Sequence, residues 1–246
     1  MANIESREVR YSAGGVEMVG YLAWDSEIEG PRPGVIVVHE WWGANDYVRQ
    51  RADRLAGLGY AGFAIDLYGA GRIAANPDEA GELMNGLIGD LPAMRERFQA
   101  ALDGLRADPV ADGSRTAAIG YCMGGGIVLH MACHGADLAA VASFHGALPL
   151  ATAGLGSGVR PTARLAVYHG EADEFVTMDD ARAFRTALDA ADADLLFVLL
   201  PGATHGFTNP LATERGKKYG LPLRYSELAD NASWDHMQLV LRDAFA

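Results

Sequence analysis

The sequence predicts an α/β fold, a mostly parallel sheet with helices on both faces, and three observations predict it. Short continuous apolar runs recur along the chain, the pattern of strands buried on both faces. Segments with apolar residues at +3 and +4 spacing lie between those runs, as amphipathic helices require. Of the 246 residues 50% are hydrophobic and 21% charged, ordinary proportions for a domain with a sizeable core. Strands that alternate with helices imply right-handed crossovers and ligand binding at the carboxyl ends of the strands.

Taken in order, Glu5 to Trp24 reads as an antiparallel edge hairpin turning at Gly14-Gly15. Gly34 to Glu40 is the first buried strand, and Val48, Ala52 and Leu55 mark the helix after it. Tyr60 to Asp66 is the next strand. Asn76-Pro77 opens a helix through Ala80, Leu83, Met84 and Leu87, and Asp90 before Pro92 opens another through Met94, Phe98, Leu102 and Leu105. Thr116 to Ile119 is a short buried strand, followed by a buried helix through Ile127-Val128-Leu129 and Met131-Ala132. Leu138 to Phe144, Arg164 to His169 and Leu195 to Leu200 complete the strands, roughly seven or eight in all. The longest irregular stretch is expected from Asn209 to Tyr225. No linker, repeat or low-complexity tract interrupts the chain, so residues 1–246 are expected to form a single domain.

A formal charge of −12 repels phosphate backbones and anionic lipid, which argues against nucleic-acid and membrane partners. The start, Met1-Ala2-Asn3-Ile4-Glu5-Ser6, lacks the basic flank and apolar stretch of a secretory signal, and no apolar run reaches membrane-spanning length. Two cysteines give no disulfide framework, which fits a reducing compartment, and a cytoplasmic location is expected. No cofactor or metal is expected, since the cysteines lack paired ligand spacing and Gly124-Gly125-Gly126 has no phosphate-binding lysine. The expected partner is a small-molecule substrate, with the chain a monomer or small homo-oligomer.

Gly120-Tyr121-Cys122-Met123-Gly124-Gly125 carries the chemistry. The pattern G-x-C-x-G between a strand and a helix is the nucleophile elbow of the α/β-hydrolase fold, where a strained turn lifts the side chain above the sheet. The helix N-terminus then favours thiolate over thiol. A competing reading makes Cys122 a small core residue, as Cys133 is taken to be. A nucleophile needs a base and an acid to orient it, in the order nucleophile, acid, histidine. Asp173 follows the strand ending at His169, and His205 follows the strand ending at Leu200. Glu171 and Glu174 compete with Asp173, and His39, His145 and His169 also stand near strand ends, where a structural hydrogen bond is the usual fate.

These residues resemble the dienelactone hydrolase family over nearly the whole chain. The resemblance runs through the segment from Val38 to Asp46, Asp66-Leu67-Tyr68-Gly69, the elbow, His169 to Val176, and Ala203-Thr204-His205-Gly206-Phe207. It implies Cys122 as nucleophile, His205 as general base and acid, and Asp173 as the group holding the imidazole. It also implies that Glu40 pairs with the cysteine proton at rest and swings away when substrate binds, leaving a thiolate, and that the backbone N–H groups of Trp41 and Met123 form the oxyanion hole. The implied activity is hydrolysis of a small lactone or ester through a thioester. Family members hold a substrate carboxylate with arginines, one shortly after the catalytic histidine, but here that stretch reads His205-Gly206-Phe207-Thr208-Asn209-Pro210. Arg72 is the candidate replacement, against a solvated loop arginine, and Trp42, Tyr121 and Phe207, with Trp41, are candidates for an aromatic pocket, against core packing. The alternative function is a non-enzymatic module in which Cys122 senses oxidants or packs the core.

Overall fold

Gly14 and Gly15 both adopt positive φ, 56° and 75°, the backbone that a two-residue hairpin turn demands. They join β1 (Ile4–Ala13) to β2 (Val16–Asp25), which pair antiparallel from Ile4 opposite Asp25 to Ala13 opposite Val16. The computed structural model describes residues 2–153 and 160–246, and the chain divides into two compact units, Met1–Ala118 and Ile119–Ala246.

In the first unit the strand order is β1-β2-β4-β3. β3 (Arg32–Val38) runs parallel to β4 (Ala61–Ile65), with Val35 opposite Gly62 and Val38 opposite Ile65. β2 meets β4 antiparallel. α1 (Asp46–Ala56) packs on β4 so closely that a Cβ at Gly62 would lie 2.5 Å from the Ala52 carbonyl oxygen. α2 (Pro77–Ile88) and α3 (Leu91–Ala107) start where the sequence predicts. Asn76 and Asp90 cap them by accepting from the Glu79 and Ala93 N–H groups, and each has a proline in its first turn.

The division falls inside β5 (Ala111–Tyr121), which leads into α4 (Met123–Cys133). In the second unit β6 (Ala140–Phe144), β7 (Arg164–Gly170) and β8 (Leu195–Leu200) are parallel neighbours, with Phe144 opposite Tyr168 and Gly170 opposite Leu200. The carboxyl ends of β7 and β8 are therefore level, with that of β6 two residues short of them. α4 and α8 (Glu227–Ala244) pack on β6, while α5 (Leu148–Thr152) lies against α4 and α6 (Met178–Ala190).

Two expectations change. The stretch from Asn209 to Tyr225 is not irregular throughout, because it holds α7 (Ala212–Tyr219), closed by Gly220 at φ 66°. Close packing fixes that helix: a Cβ at Gly216 would sit 2.4 Å from the Leu223 carbonyl oxygen. β8 is not buried on both faces. It ends the strand order and has β7 as its neighbour, so Leu195 to Val198 are half-buried and Leu199 is exposed.

Candidate active site

Cys122 joins β5 to α4 with φ 56° and ψ −120°, a conformation that costs a non-glycine residue about 1–3 kcal/mol. Backbone hydrogen bonds hold it there. Its N–H donates to the Phe144 carbonyl at 3.0 Å, and its carbonyl accepts from Ala147 at 3.0 Å and Gly126 at 3.3 Å. The glycines are steric necessities. A Cβ at Gly120 would lie 2.2 Å from the Gly124 carbonyl oxygen, one at Gly125 2.6 Å from the Ser143 hydroxyl, and one at Gly126 2.5 Å from the Ala147 carbonyl oxygen. Gly146 is as crowded, its Cβ position being 2.1 Å from the same hydroxyl. The elbow thus exists because α4 approaches the turn after β6 with only backbone and the small side chains of Ser143 and Ala147 between them. Cys122 itself remains half-buried, whereas Cys133, at the end of α4, is sealed in the core, and burial pushes its thiol up to about 11.

The turn after β7 presents Asp173, whose two oxygens have separate tasks. Oδ1 accepts from the Phe175 and Val176 N–H groups, both at 2.9 Å, which freezes the carboxylate. Oδ2 takes the Nδ1 of His205 at 2.8 Å, with the Asp173 side chain fully buried and that of His205 nearly so. Burial raises the Asp173 pKa, but hydrogen bonding and attraction to His205 outweigh it and the net direction is downward. Glu171 and Glu174 are exposed, and of the three acids it is Asp173 whose carboxylate the structure brings to His205.

His205 lies in the loop after β8, where Gly206 takes φ 72° and Arg224 N–H donates to the His205 carbonyl. Burial disfavours an imidazolium there. The Cys122 sulfur, which hydrogen-bonds the ring, and the Asp173 carboxylate together reverse that penalty and raise the pKa to about 10. Sulfur, imidazole and carboxylate are thus joined in one chain of hydrogen bonds, the arrangement of an activated nucleophile.

Other predicted residues have separate surroundings. In the first unit Glu40 is buried just beyond β3, its carbonyl accepting from Gly43 at 3.2 Å and lying 2.6 Å from the Nδ1 of His39. Trp41 is half-buried, its ring edge-on to that of Trp42 and its carbonyl accepting the Tyr68 hydroxyl at 2.8 Å; Trp42 is buried. Arg72 is exposed, and its guanidinium donates to the Gly69 and Tyr68 carbonyls of its own turn. In the second unit Met123 opens α4. Tyr121 and Phe207 are fully buried, one stacked on Phe144 and the other edge-on to His145, as core packing would place them.

The strand-end histidines have different fates. His39 is bonded at both ring nitrogens, to Glu40 and to the Leu67 N–H. His145 is bonded at both as well, to the Cys122 N–H and to the Thr208 hydroxyl. His169 departs from expectation: neither ring nitrogen has a partner of good geometry, only a weak approach to the Val176 backbone, and burial pushes its pKa down. Sequence reasoning missed one pairing and one neighbour beside His205. These are His145 and Thr208 as a pair, and Phe175, whose half-exposed ring stands edge-on to His205 at 5.2 Å. It also passed over His130 and His134, four apart on α4 and its C-cap, whose rings stack at 3.9 Å. Among the described residues, however, no three acids, histidines or cysteines are grouped to hold a metal. No helix there is long and apolar enough to cross a membrane.

The model of the dienelactone hydrolase family matches residues 18–245. Protein usf of Aquifex pyrophilus is 30% identical over 209 residues, covering 82% of this chain and 86% of that protein. A protein of Aquifex aeolicus, provisionally named a carboxymethylenebutenolidase, is 28% identical over 206 residues, covering 82% and 86%. Among solved structures, that of P91, a dienelactone hydrolase-like promiscuous phosphotriesterase from metagenomic libraries, is 35% identical, covers 100% of both chains and superimposes with a TM-score of 0.91. The elbow, the strand order and these matches lead to one conclusion: the chain has the α/β-hydrolase fold and belongs to the dienelactone hydrolase family, hydrolases of carboxylic ester bonds.

Proposed function

We propose that the chain, acting as one catalytic domain in the cytoplasm, hydrolyses a small lactone or ester through a Cys122-His205-Asp173 triad and a thioester acyl-enzyme. The observation that carries this reading is the shared imidazole: His205 engages Asp173 at 2.8 Å and the Cys122 side chain as well. Cys122 sulfur attacks the carbonyl carbon, the carbonyl electron pair moves to oxygen, and collapse expels the alkoxide or enolate. His205, as imidazolium, donates the proton that the leaving oxygen takes up. Water then attacks the thioester, giving its proton to the neutral imidazole, and the sulfur leaves as the carboxylic acid is released. Asp173 stays ionised and holds the ring in one tautomer.

The family resemblance adds two parts. Glu40 would accept a hydrogen bond from the Cys122 thiol at rest and swing away when substrate binds, so that the oxidation-prone thiolate would form only then. The N–H groups of Met123 and Trp41 would receive the oxyanion, each worth about 3 kcal/mol in the transition state. With Arg72 engaged by its own turn and no arginine between His205 and Pro210, the reading favours substrates without a carboxylate to anchor.

The test is a turnover screen of small lactones, aryl esters and cis and trans dienelactones on wild type and Cys122→Ala. A phosphotriester is included because P91 is described as acting on that class. Cys122→Ala should lose all hydrolysis above background, and mass spectra of trapped wild type should carry the acyl group on Cys122. Full turnover by Cys122→Ala, or an adduct elsewhere, refutes the proposal.

A further inference from the structure

The geometry points to His145 as a positioning residue that sets the nucleophile by gripping its backbone amide. The inference rests on the Cys122 reading. His145 follows β6, is fully buried, and adopts φ 40°, a left-handed conformation that a β-carbon disfavours. Such strain persists where surrounding contacts over-determine it. Here they do. Its N–H donates to the Tyr168 carbonyl at 2.9 Å, its Nδ1 accepts from the Cys122 N–H at 3.1 Å, and its Nε2 lies 2.7 Å from the Thr208 hydroxyl.

The tautomer follows from these partners. An Nδ1 that accepts from an amide carries no proton, so the ring is neutral and Nε2–H donates to the Thr208 oxygen. The Cys122 N–H is then shared between the Phe144 carbonyl and the imidazole, while Ala147, two residues past His145, donates to the Cys122 carbonyl. Both backbone polar groups of the strained residue Cys122 are held by residues 144–147. The far side of the ring matters equally. Thr208 stands three residues after His205, and the His145 ring is edge-on to that of His205 at 5.1 Å. One neutral imidazole thus ties the nucleophile's amide to the loop that delivers the base. No substrate atom need touch it, so its effect should fall on kcat and leave KM alone.

The variants are His145→Leu, His145→Asn and Thr208→Val, each in the full-length enzyme with its best ester or lactone substrate. Leucine removes the acceptor. Asparagine keeps an oxygen at the δ position, tolerates left-handed backbone, and is too short to reach Thr208. His145→Leu should lose about 100-fold in kcat, the scale of an ångström-level misplacement, with KM within about twofold. His145→Asn should recover at least half of that loss on a logarithmic scale. Thr208→Val should lose less, about fivefold, and should cost nothing further in the His145→Asn background, because the link to Thr208 is already gone.

If His145→Leu does not fold, the asparagine and valine variants with their double mutant still decide. Additive losses in the double mutant overturn the inference, as do wild-type kcat in His145→Leu or losses that fall on KM. A trapped acyl group found on Cys122 alongside any of these results leaves the triad standing and removes His145 alone. An adduct on another residue removes both.

Discussion

Two acids close two parallel strands of this chain, and their carboxylates are used in opposite ways. Asp66, directly after β4, is fully buried and gives every oxygen to backbone: Oδ1 accepts from Tyr68 and Gly69 at 2.9 and 2.8 Å, Oδ2 from Gly71 and Val19 at 2.8 and 3.2 Å. Asp173, after β7, spends one oxygen in the same manner on Phe175 and Val176 and keeps the other for a histidine. The first builds a turn. The second builds a turn and uses it to aim a proton-carrying ring. On the proposed triad, a strand-end acid becomes chemical when one oxygen is withheld from the backbone.

Three substitution and pH experiments would break or sharpen this contrast. The largest effect is expected from Asp173→Asn. The amide can keep accepting from Phe175 and Val176 but cannot stabilise an imidazolium, so kcat should fall by about 10⁴ while the melting temperature moves little. A loss below tenfold would mean that Asp173 is only another Asp66. Next comes Asp66→Ala, which strands four backbone N–H groups. It should cost about 3 kcal/mol or more in urea unfolding, with kcat per folded molecule unchanged. Lost activity in the folded fraction would blur the division of labour.

The third effect is in the pH dependence of stability. His205 has its pKa raised to about 10 in the native state, against about 6.5 when unfolded. Its contribution is therefore complete below about pH 6.5 and is lost as pH rises through about 10. Wild type should lose thermal stability progressively across that interval. Asp173→Asn should flatten the slope and Asp66→Ala should only offset the curve. Equal slopes in all three proteins would show that the raised pKa owes nothing to Asp173.

Much of this was legible in the sequence, for identifiable reasons. Gly14-Gly15, Asn76-Pro77 and Asp90 are local devices whose backbone demands can be read without neighbours, and each stands at the element end it signals. Cys122, Asp173 and His205 were legible because a parallel sheet delivers strand ends to one level, so chain order stands in for proximity. The illegible parts depend on packing. α7 did carry readable signs, Glu214 in its first turn, Lys217 and Lys218 in its last and Gly220 after it, but no residue announces that its Gly216 must press on the Leu223 carbonyl. The apolar run of β8 looks like any central strand, and only its last place in the order exposes Leu199. α8 did have a readable start in Ser226, which caps the Ala229 N–H, followed by acidic Glu227. His145 and Thr208 are 63 positions apart, and no spacing rule joins them.

The crowding at Gly120, Gly125, Gly126 and Gly146 has a practical reach beyond the turn that it shapes. Four sites where a single methyl group collides with neighbouring atoms are four sites closed to random mutagenesis. A library aimed at new substrates wastes its diversity there. Variation is better spent on Phe175, whose half-exposed ring borders the His205 imidazole and whose replacement disturbs no such contact.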